Sequence, residues 1–94
     1  MVKAIVQHHV ADYDRWYPVF TEHGAVRRSH GATGHSIHRA VDDPNTVVIV
    51  NDFSTLAGAQ AFATDPSLPE VMHRAGVDSA PQVWLVNEVE DVRY

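Results

Sequence analysis

The first ten residues alternate between apolar and mostly polar side chains. The even positions hold Val2, Ala4, Val6, His8 and Val10. A period of two predicts a β-strand over residues 2–10 whose even positions share one face. His8 is therefore predicted to point in the same direction as its valine neighbours, toward the core.

A period of three to four follows, which is typical of an amphipathic helix. Asp12 or Asp14 can cap the start of this helix, and Gly31 is expected to end it. The inner line of the helix consists of Tyr13, Trp16, Tyr17, Phe20 and His23. Trp16 and His23 are seven residues apart, about two turns, and so share a face. The two patterns together predict that His8, Trp16 and His23 face one interior space.

The remainder of the chain predicts three further strands and two short helices. The strands are expected over residues 34–41, 46–53 and 82–89, and the helices over 54–62 and 67–76. The third strand, Thr46–Phe53, is β-branched and apolar, which is typical of the centre of a sheet. Residues 42–45 read as a turn. Ser54 is expected to cap the first short helix, and Ser67 with Glu70 forms a capping-box pattern for the second.

This order of elements predicts an α+β fold of one domain, residues 1–94. It is the ferredoxin-like split βαβ arrangement, a four-stranded antiparallel sheet with helices on one face. The other face would be bare, and it carries Ile5 and several β-branched residues. We therefore expect a second copy of the chain to cover it in a twofold dimer.

The composition excludes several classes of function. The chain has no cysteine, so disulfides, thiolate metal sites and a cysteine nucleophile are excluded. Its net charge of −5 argues against a nucleic-acid partner, and the adjacent Arg27 and Arg28 are expected to oppose a helix dipole. No apolar run approaches the roughly 20 residues needed to cross a bilayer. The N-terminus lacks a secretory signal, so no membrane association and a cytoplasmic location are expected.

Several segments resemble a known superfamily. They are HHVADYDRW at 8–16, EH at 22–23, DDPN at 42–45 and HRAGV at 73–77. They resemble the dimeric α/β-barrel proteins, and within these the small antibiotic-biosynthesis-monooxygenase-like and polyketide-cyclase-like proteins. The resemblance covers essentially the whole chain. It implies a homodimer with a ligand cavity between the sheet and the helices of each subunit, lined by the helix-facing residues of the strands.

The chain departs from two patterns of that superfamily. Its cofactor-independent, quinone-forming oxygenases carry an Asn and a Trp four residues apart at the end of the third strand. Ile49 and Phe53 stand at these positions here, and Asn51 lies on the same face. The haem-degrading branch uses a histidine on the helix before the last strand, where this chain has Met72, followed by His73.

Three side chains are candidates for catalysis. A neutral His8 could remove a proton from a phenol or an activated C–H, or it could be a buried structural imidazole. His23 could act as a second base or as a donor to an oxyanion, or it could be a half-exposed helix-end residue. Asn51 could hold an enolate or phenolate oxygen, or simply end its strand.

Five apolar side chains are candidates for binding a ligand. They are Trp16, Tyr13, Phe20, Phe53 and Met72. Together they could wall a pocket for a small hydrophobic or aromatic molecule, although an aromatic stripe on a helix is more often core. The other histidines, His9, His30, His35 and His38, are predicted on the surface or at the dimer interface, and no spacing indicates a metal site.

The function expected from these observations is that of an enzyme without a cofactor or metal. It would act on an aromatic or polyketide-like molecule as a monooxygenase or cyclase, with His8 and His23 transferring protons. Two alternatives remain open at this point. One is a dimer that binds a small molecule without reaction, and the other is a histidine-based metal or haem protein.

Overall fold

The computed structural model describes all residues, 1–94. Four strands and four helices follow one another in the order β-α-α-β-β-α-α-β. Their bounds are β1 Val2–His9, α1 Tyr13–Glu22, α2 Gly24–Ser29, β2 Ala32–Ala40, β3 Asp43–Phe53, α3 Leu56–Ala63, α4 Leu68–Arg74 and β4 Gln82–Asn87. None of these helices has the length and apolar character needed to cross a membrane.

The strands form one antiparallel sheet in the order β2-β3-β1-β4. The central pair is β1 and β3, and its register decides which side chains share a face. The opposing residues on the helix-facing side are Ala4 and Asn51, Val6 and Ile49, and His8 and Val47. All six are buried. The predicted ferredoxin-like α+β fold, with helices on one face, is thereby confirmed, as is the inward direction of His8.

Two apolar clusters hold the helices on the sheet. One cluster consists of Val6, Val10, Trp16, Val47, Ile49 and Ala75. The other consists of Ala4, Phe53, Ala59 and Phe62. Burying a valine, isoleucine or phenylalanine side chain stabilises a fold by roughly 1.5–3 kcal/mol. α3 lies so close to the residue that follows α2 that a Cβ at Gly58 would collide with the carbonyl oxygen of His30. The site described below lies between these packed regions.

The single helix predicted from Asp12 to Gly31 is wrong, because the chain forms two helices. His23 ends α1 and begins α2 with φ −77° and ψ 0°. A regular α-helix has a ψ near −42°, so the chain starts a new helix of six residues at Gly24. Asp12 is the N-cap of α1, as predicted, and its carboxylate accepts a hydrogen bond from the amide of Asp14.

Three local predictions were also wrong. The turn consists of residues 41–42, and Asp43 already belongs to β3, where its carboxylate accepts hydrogen bonds from its own strand. Thr55, not Ser54, caps α3 by accepting from the amide of Gly58. Ser67 makes no capping bond to α4. Its hydroxyl donates instead to Asp65, at 2.6 Å, and this bond belongs to the site described below.

The second face of the sheet carries no helix. Its apolar side chains are Ile5, Val48, Val50, Trp84 and Val86, placed together by the pairing of β1 with β3 and β4. Trp84 is 45% exposed and Val86 38% exposed. An apolar patch of this kind on a small protein is typical of a surface that contacts a partner.

Candidate functional site

A cavity of about 620 Å³ lies between the sheet and the helices. This volume falls within the range of about 300–1,000 Å³ that is usual for small-molecule sites. Much of its wall is apolar, with side chains from β1, β3, all four helices and the segment after α4. Its polar lining includes His8, His23, Arg27, Asn51 and Asp65.

Six of the eight predicted site residues line this cavity. They are His8, His23, Asn51, Trp16, Phe20 and Met72. Tyr13 and Phe53 do not line it. Tyr13 packs on Trp16 with the ring centres 5.6 Å apart, and the guanidinium of Arg39 lies 4.0 Å over its ring. Phe53 is fully buried in the second apolar cluster. Both therefore support the cavity wall without forming its surface.

His8 enters the cavity wall from the central strand β1. It is 6% exposed, and the edge of its ring faces Trp16 with the centres 5.9 Å apart. Burial lowers its pKa to about 4, because the protonated imidazole would lose its hydration. Both ring nitrogens are shielded from solvent and have no hydrogen-bond partner. His8 is thus a neutral imidazole with two unused polar atoms.

Asn51 lies on β3, two residues along from the pair formed by Val6 and Ile49. It is 2% exposed. Its amide nitrogen donates to the carbonyl oxygen of Ala4 at 3.2 Å, whereas its side-chain oxygen has no partner. An unsatisfied buried polar atom costs about 1–3 kcal/mol. The cavity wall therefore carries unpaired polar atoms on two neighbouring strands.

His23 is held by a hydrogen bond across the site. Its Nε2 lies 2.9 Å from the hydroxyl oxygen of Ser67, and that hydroxyl donates to a carboxylate oxygen of Asp65. Because an ionised carboxylate only accepts, the hydroxyl proton is committed, and Ser67 must accept from His23. Neutral His23 therefore carries its proton on Nε2, which leaves Nδ1 as the basic nitrogen. Burial and the charge of Arg27 lower its pKa.

Asp65 anchors this arrangement from the loop between α3 and α4. One carboxylate oxygen accepts from the amide and hydroxyl of Ser67, and the other lies 2.8 Å from Nε2 of His30. These hydrogen bonds hold the pKa of Asp65 well below its usual range, with the bond to His30 as the largest cause. His30 was predicted at the surface or at an interface, but its side chain is only 25% exposed and ties α2 to this loop.

Arg27 is a site residue that the sequence reasoning missed. It is 5% exposed, and its guanidinium lies 3.7 Å over the ring of Phe20. Burial, followed by the charge of Arg28, lowers its pKa to about 10. No carboxylate pairs with it, since the ion pairs of the chain involve other residues. The residue is thus a charged group in the cavity wall without a counter-charge.

A simple signal could have revealed Arg27. The inner line of the helical region has residues at 16, 20 and 23, with spacings of four and three, and a further step of four reaches 27. The helical period therefore places Arg27 on the face of Trp16, Phe20 and His23. No comparable signal exists for Ser67 or Asp65, which are more than 40 residues from His23 in sequence.

Metal binding has little geometric support. No group of three or more His, Asp or Glu side chains is arranged to hold a metal ion. Met72 and His73 of α4 both line the cavity, although His73 is exposed to solvent.

His35 of β2, predicted at the surface or at the dimer interface, is exposed. Its ring makes a T-shaped contact with that of Phe20, with the centres 5.0 Å apart.

No family model matches the sequence, and no curated protein matches it significantly. Solved structures, however, match nearly the whole chain. SnoaB from Streptomyces nogalater, a cofactor-independent oxygenase, superposes with a TM-score of 0.77 at 15% identity over 99% of this chain and 97% of its own. A Bordetella bronchiseptica protein, named as an antibiotic biosynthesis monooxygenase, gives 0.76 at 18% identity over 95% and 97%.

The chain has the fold of these proteins. A third match is the monooxygenase from the ActVA-Orf6 gene of Streptomyces coelicolor, solved with the ligand nanaomycin D. It superposes with a TM-score of 0.68 at 14% identity over 99% of this chain and 91% of its own. The superpositions establish a common fold. At sequence identities this low, the activity of this chain has to be argued from its own residues.

Proposed function

We propose that this protein is a cofactor-independent enzyme acting on an aromatic or polyketide-like molecule. The cavity between the sheet and the helices is the substrate site, and His8 and His23 transfer protons in it. The observation that carries the proposal is an uncharged imidazole without partners in the wall of a largely apolar cavity. A neutral imidazole can accept a proton, which a protonated or fully hydrogen-bonded one cannot.

The chemistry begins with removal of a proton from an activated C–H or phenol by His8 or by Nδ1 of His23. The resulting anion requires donors. These are the protonated imidazole and the second N–H of the Asn51 side-chain amide, whose first N–H donates to Ala4. In a monooxygenase the carbanion reacts with O2, and in a cyclase it attacks a carbonyl of the same molecule. The fold shared with SnoaB, a cofactor-independent oxygenase, supports the first of these reactions.

The proposal includes a homodimer in the cytoplasm. Trp84 and its apolar neighbours on the second sheet face would be covered when two sheets pack together. A twofold arrangement places the same patch on both subunits, which suits a self-complementary apolar surface. Each subunit would keep its own cavity, because the cavity lies on the opposite side of the sheet.

Anthrone is a suitable test substrate because its central CH2 is acidic and its oxidation is balanced by O2 alone. One anthrone and one O2 give one anthraquinone and one water: the carbon loses two hydrogens and gains the carbonyl oxygen. We expect the purified protein to accelerate O2 uptake and anthraquinone absorbance together. His8→Leu and His23→Leu should each lower the rate by 10²-fold or more, the usual contribution of a general base.

The matched control is His38→Leu, which removes the same side chain from an exposed position of β2. It should leave the rate unchanged. Full activity in the double variant of His8 and His23 would refute the proposal. A wild-type protein that accelerates neither O2 uptake nor deuterium exchange at the anthrone CH2, relative to buffer, would refute it too. Deuterium exchange at the anthrone CH2 without O2 uptake would retain the proton-transfer role and exclude the oxygenase reaction.

One observation favours a second candidate function, binding without reaction. Both nitrogens of His8 are shielded from solvent, so a ligand can reach them only after the ring turns. A protein that holds an aromatic molecule through apolar contacts needs no such movement. Saturable binding of anthrone, monitored by quenching of tryptophan fluorescence, without exchange or oxidation would select this alternative.

A further inference from the structure

The buried charge of Arg27 is informative about the kind of substrate that the cavity binds. A guanidinium has five N–H donors, and folding removes those of Arg27 from most of their water without supplying a carboxylate. A buried charge without a partner costs several kcal/mol. A buried charged residue in a cleft is a candidate for a functional site, and an anionic ligand would supply the charge that Arg27 lacks.

The rest of the cavity is consistent with a negative ligand. Asp65 is the only acidic residue in its lining, and both of its carboxylate oxygens are already used by Ser67 and His30. The chain as a whole has a net charge of −5, and the other eleven of its twelve acidic residues lie outside the cavity lining. The cavity therefore holds an arginine charge that no acidic side chain pairs with, within an acidic protein.

The geometry around Arg27 also restricts the shape of the ligand. The central carbon of the guanidinium lies over the ring of Phe20, 3.7 Å from the ring centre. A Cβ at Gly24 would lie 3.3 Å from an Arg27 nitrogen, so the glycine leaves space for the side chain. A planar guanidinium held in this way presents its donors as a fork, which matches the two oxygens of a carboxylate.

We propose that Arg27 binds a carboxylate of the substrate, which makes the ligand of this cavity an aromatic acid. The inference deepens the proposed function and rests on it only in taking the cavity as the ligand site. It assigns the aromatic part of the molecule to the apolar wall and the carboxylate to the end of the cavity formed by α2. Arg27 then determines specificity, whereas His8 and His23 perform the reaction.

Two probes of nearly the same shape test this proposal. 2-Naphthoate carries a carboxylate at neutral pH, and 2-naphthamide replaces it with a neutral amide. Isothermal titration calorimetry of the full chain should give tighter binding of 2-naphthoate by about tenfold or more, the usual strength of a charge-assisted pair. The Arg27→Met variant should lose this preference and keep its affinity for 2-naphthamide.

Arg28→Met is the matched control, since it removes the same charge from the exposed neighbouring residue. It should retain the preference. If Arg27→Met does not fold, the Nε–H resonance of Arg27 in the unaltered protein gives the answer: 2-naphthoate should shift it and 2-naphthamide should not.

Three results would overturn the proposal: equal or absent binding of the two probes by the unaltered protein, a preference that survives in Arg27→Met, or an unmoved Arg27 resonance. A preference for 2-naphthoate in a protein that neither oxidises anthrone or its 2-carboxylic acid nor exchanges their CH2 protons would refute the enzymatic proposal alone.

Discussion

Replacing His8 with leucine tests whether this histidine has a catalytic or a structural role. The two ring nitrogens of His8 are buried without partners, so they contribute no hydrogen bond that the variant could lose. Leucine has a similar volume and no polar atom to desolvate. Relieving an unsatisfied buried polar group should stabilise the protein by about 1–3 kcal/mol at pH 7.

The same variant changes the dependence of stability on pH. The pKa of His8 is about 4 in the folded protein and 6.5 in the unfolded chain. The unfolded state therefore binds more protons between these values, and stability falls as the pH drops from 6.5 toward 4. At pH 5, protonation of this histidine favours the unfolded over the folded state by roughly 30-fold, which lowers the free energy of unfolding by about 2 kcal/mol. His8→Leu should lack this loss.

Denaturant titrations of both proteins at pH 7 and pH 5, at one protein concentration, measure these two effects. The difference between variant and wild type should grow by about 2 kcal/mol at pH 5. His23 and His35, whose pKa values are lowered, and His9, whose pKa is raised, remain in both proteins and cancel. A difference that does not depend on pH, or a variant less stable than wild type by 2 kcal/mol or more, would refute the reasoning.

Three other substitutions test separate parts of the structure. Because the pKa of Asp65 is lowered in the folded protein, stability is lost as the pH falls below about 4, the usual pKa of this group. Asp65→Asn should abolish this loss, and stability curves from pH 2 to 5 would detect the change. Gly58→Ala should destabilise the protein by more than about 3 kcal/mol, since its Cβ would collide with the carbonyl oxygen of His30, and thermal unfolding measures the loss. Trp84→Lys should give monomers in sedimentation experiments, whereas an unchanged mass would count against the proposed dimer face.

The period with which apolar and polar residues alternate along the chain was enough to predict most of the fold. Alternation over residues 2–10 and the apolar run of β3 placed Ala4, Val6 and His8 on the face that the helices cover. The reason is geometric: a side chain in a strand can point only to one face or the other. For the same reason, Asn51 was assigned correctly to the cavity face.

The sequence was less informative about the ends of the helices, which depend on backbone angles and on distant hydrogen-bond partners. The helix break at His23 depends on backbone angles that the pattern does not record. Ser67 has the sequence of a helix cap, yet its backbone is helical, with φ −76° and ψ −19°, instead of extended as a capping residue requires. Its hydroxyl accepts from His23 and donates to Asp65. Local sequence reveals neither these backbone angles nor these partners.

The site itself required the tertiary structure. Sequence alone determined that His8, Trp16 and His23 share one interior, since regular periods carry side chains to predictable faces. It did not determine that Asp65 and Ser67 fix the tautomer of His23, nor that Arg27 lacks a counter-charge. Both facts depend on which distant groups approach within hydrogen-bond distance after folding. Burial in the folded chain then lowers the pKa values of His23 and Arg27.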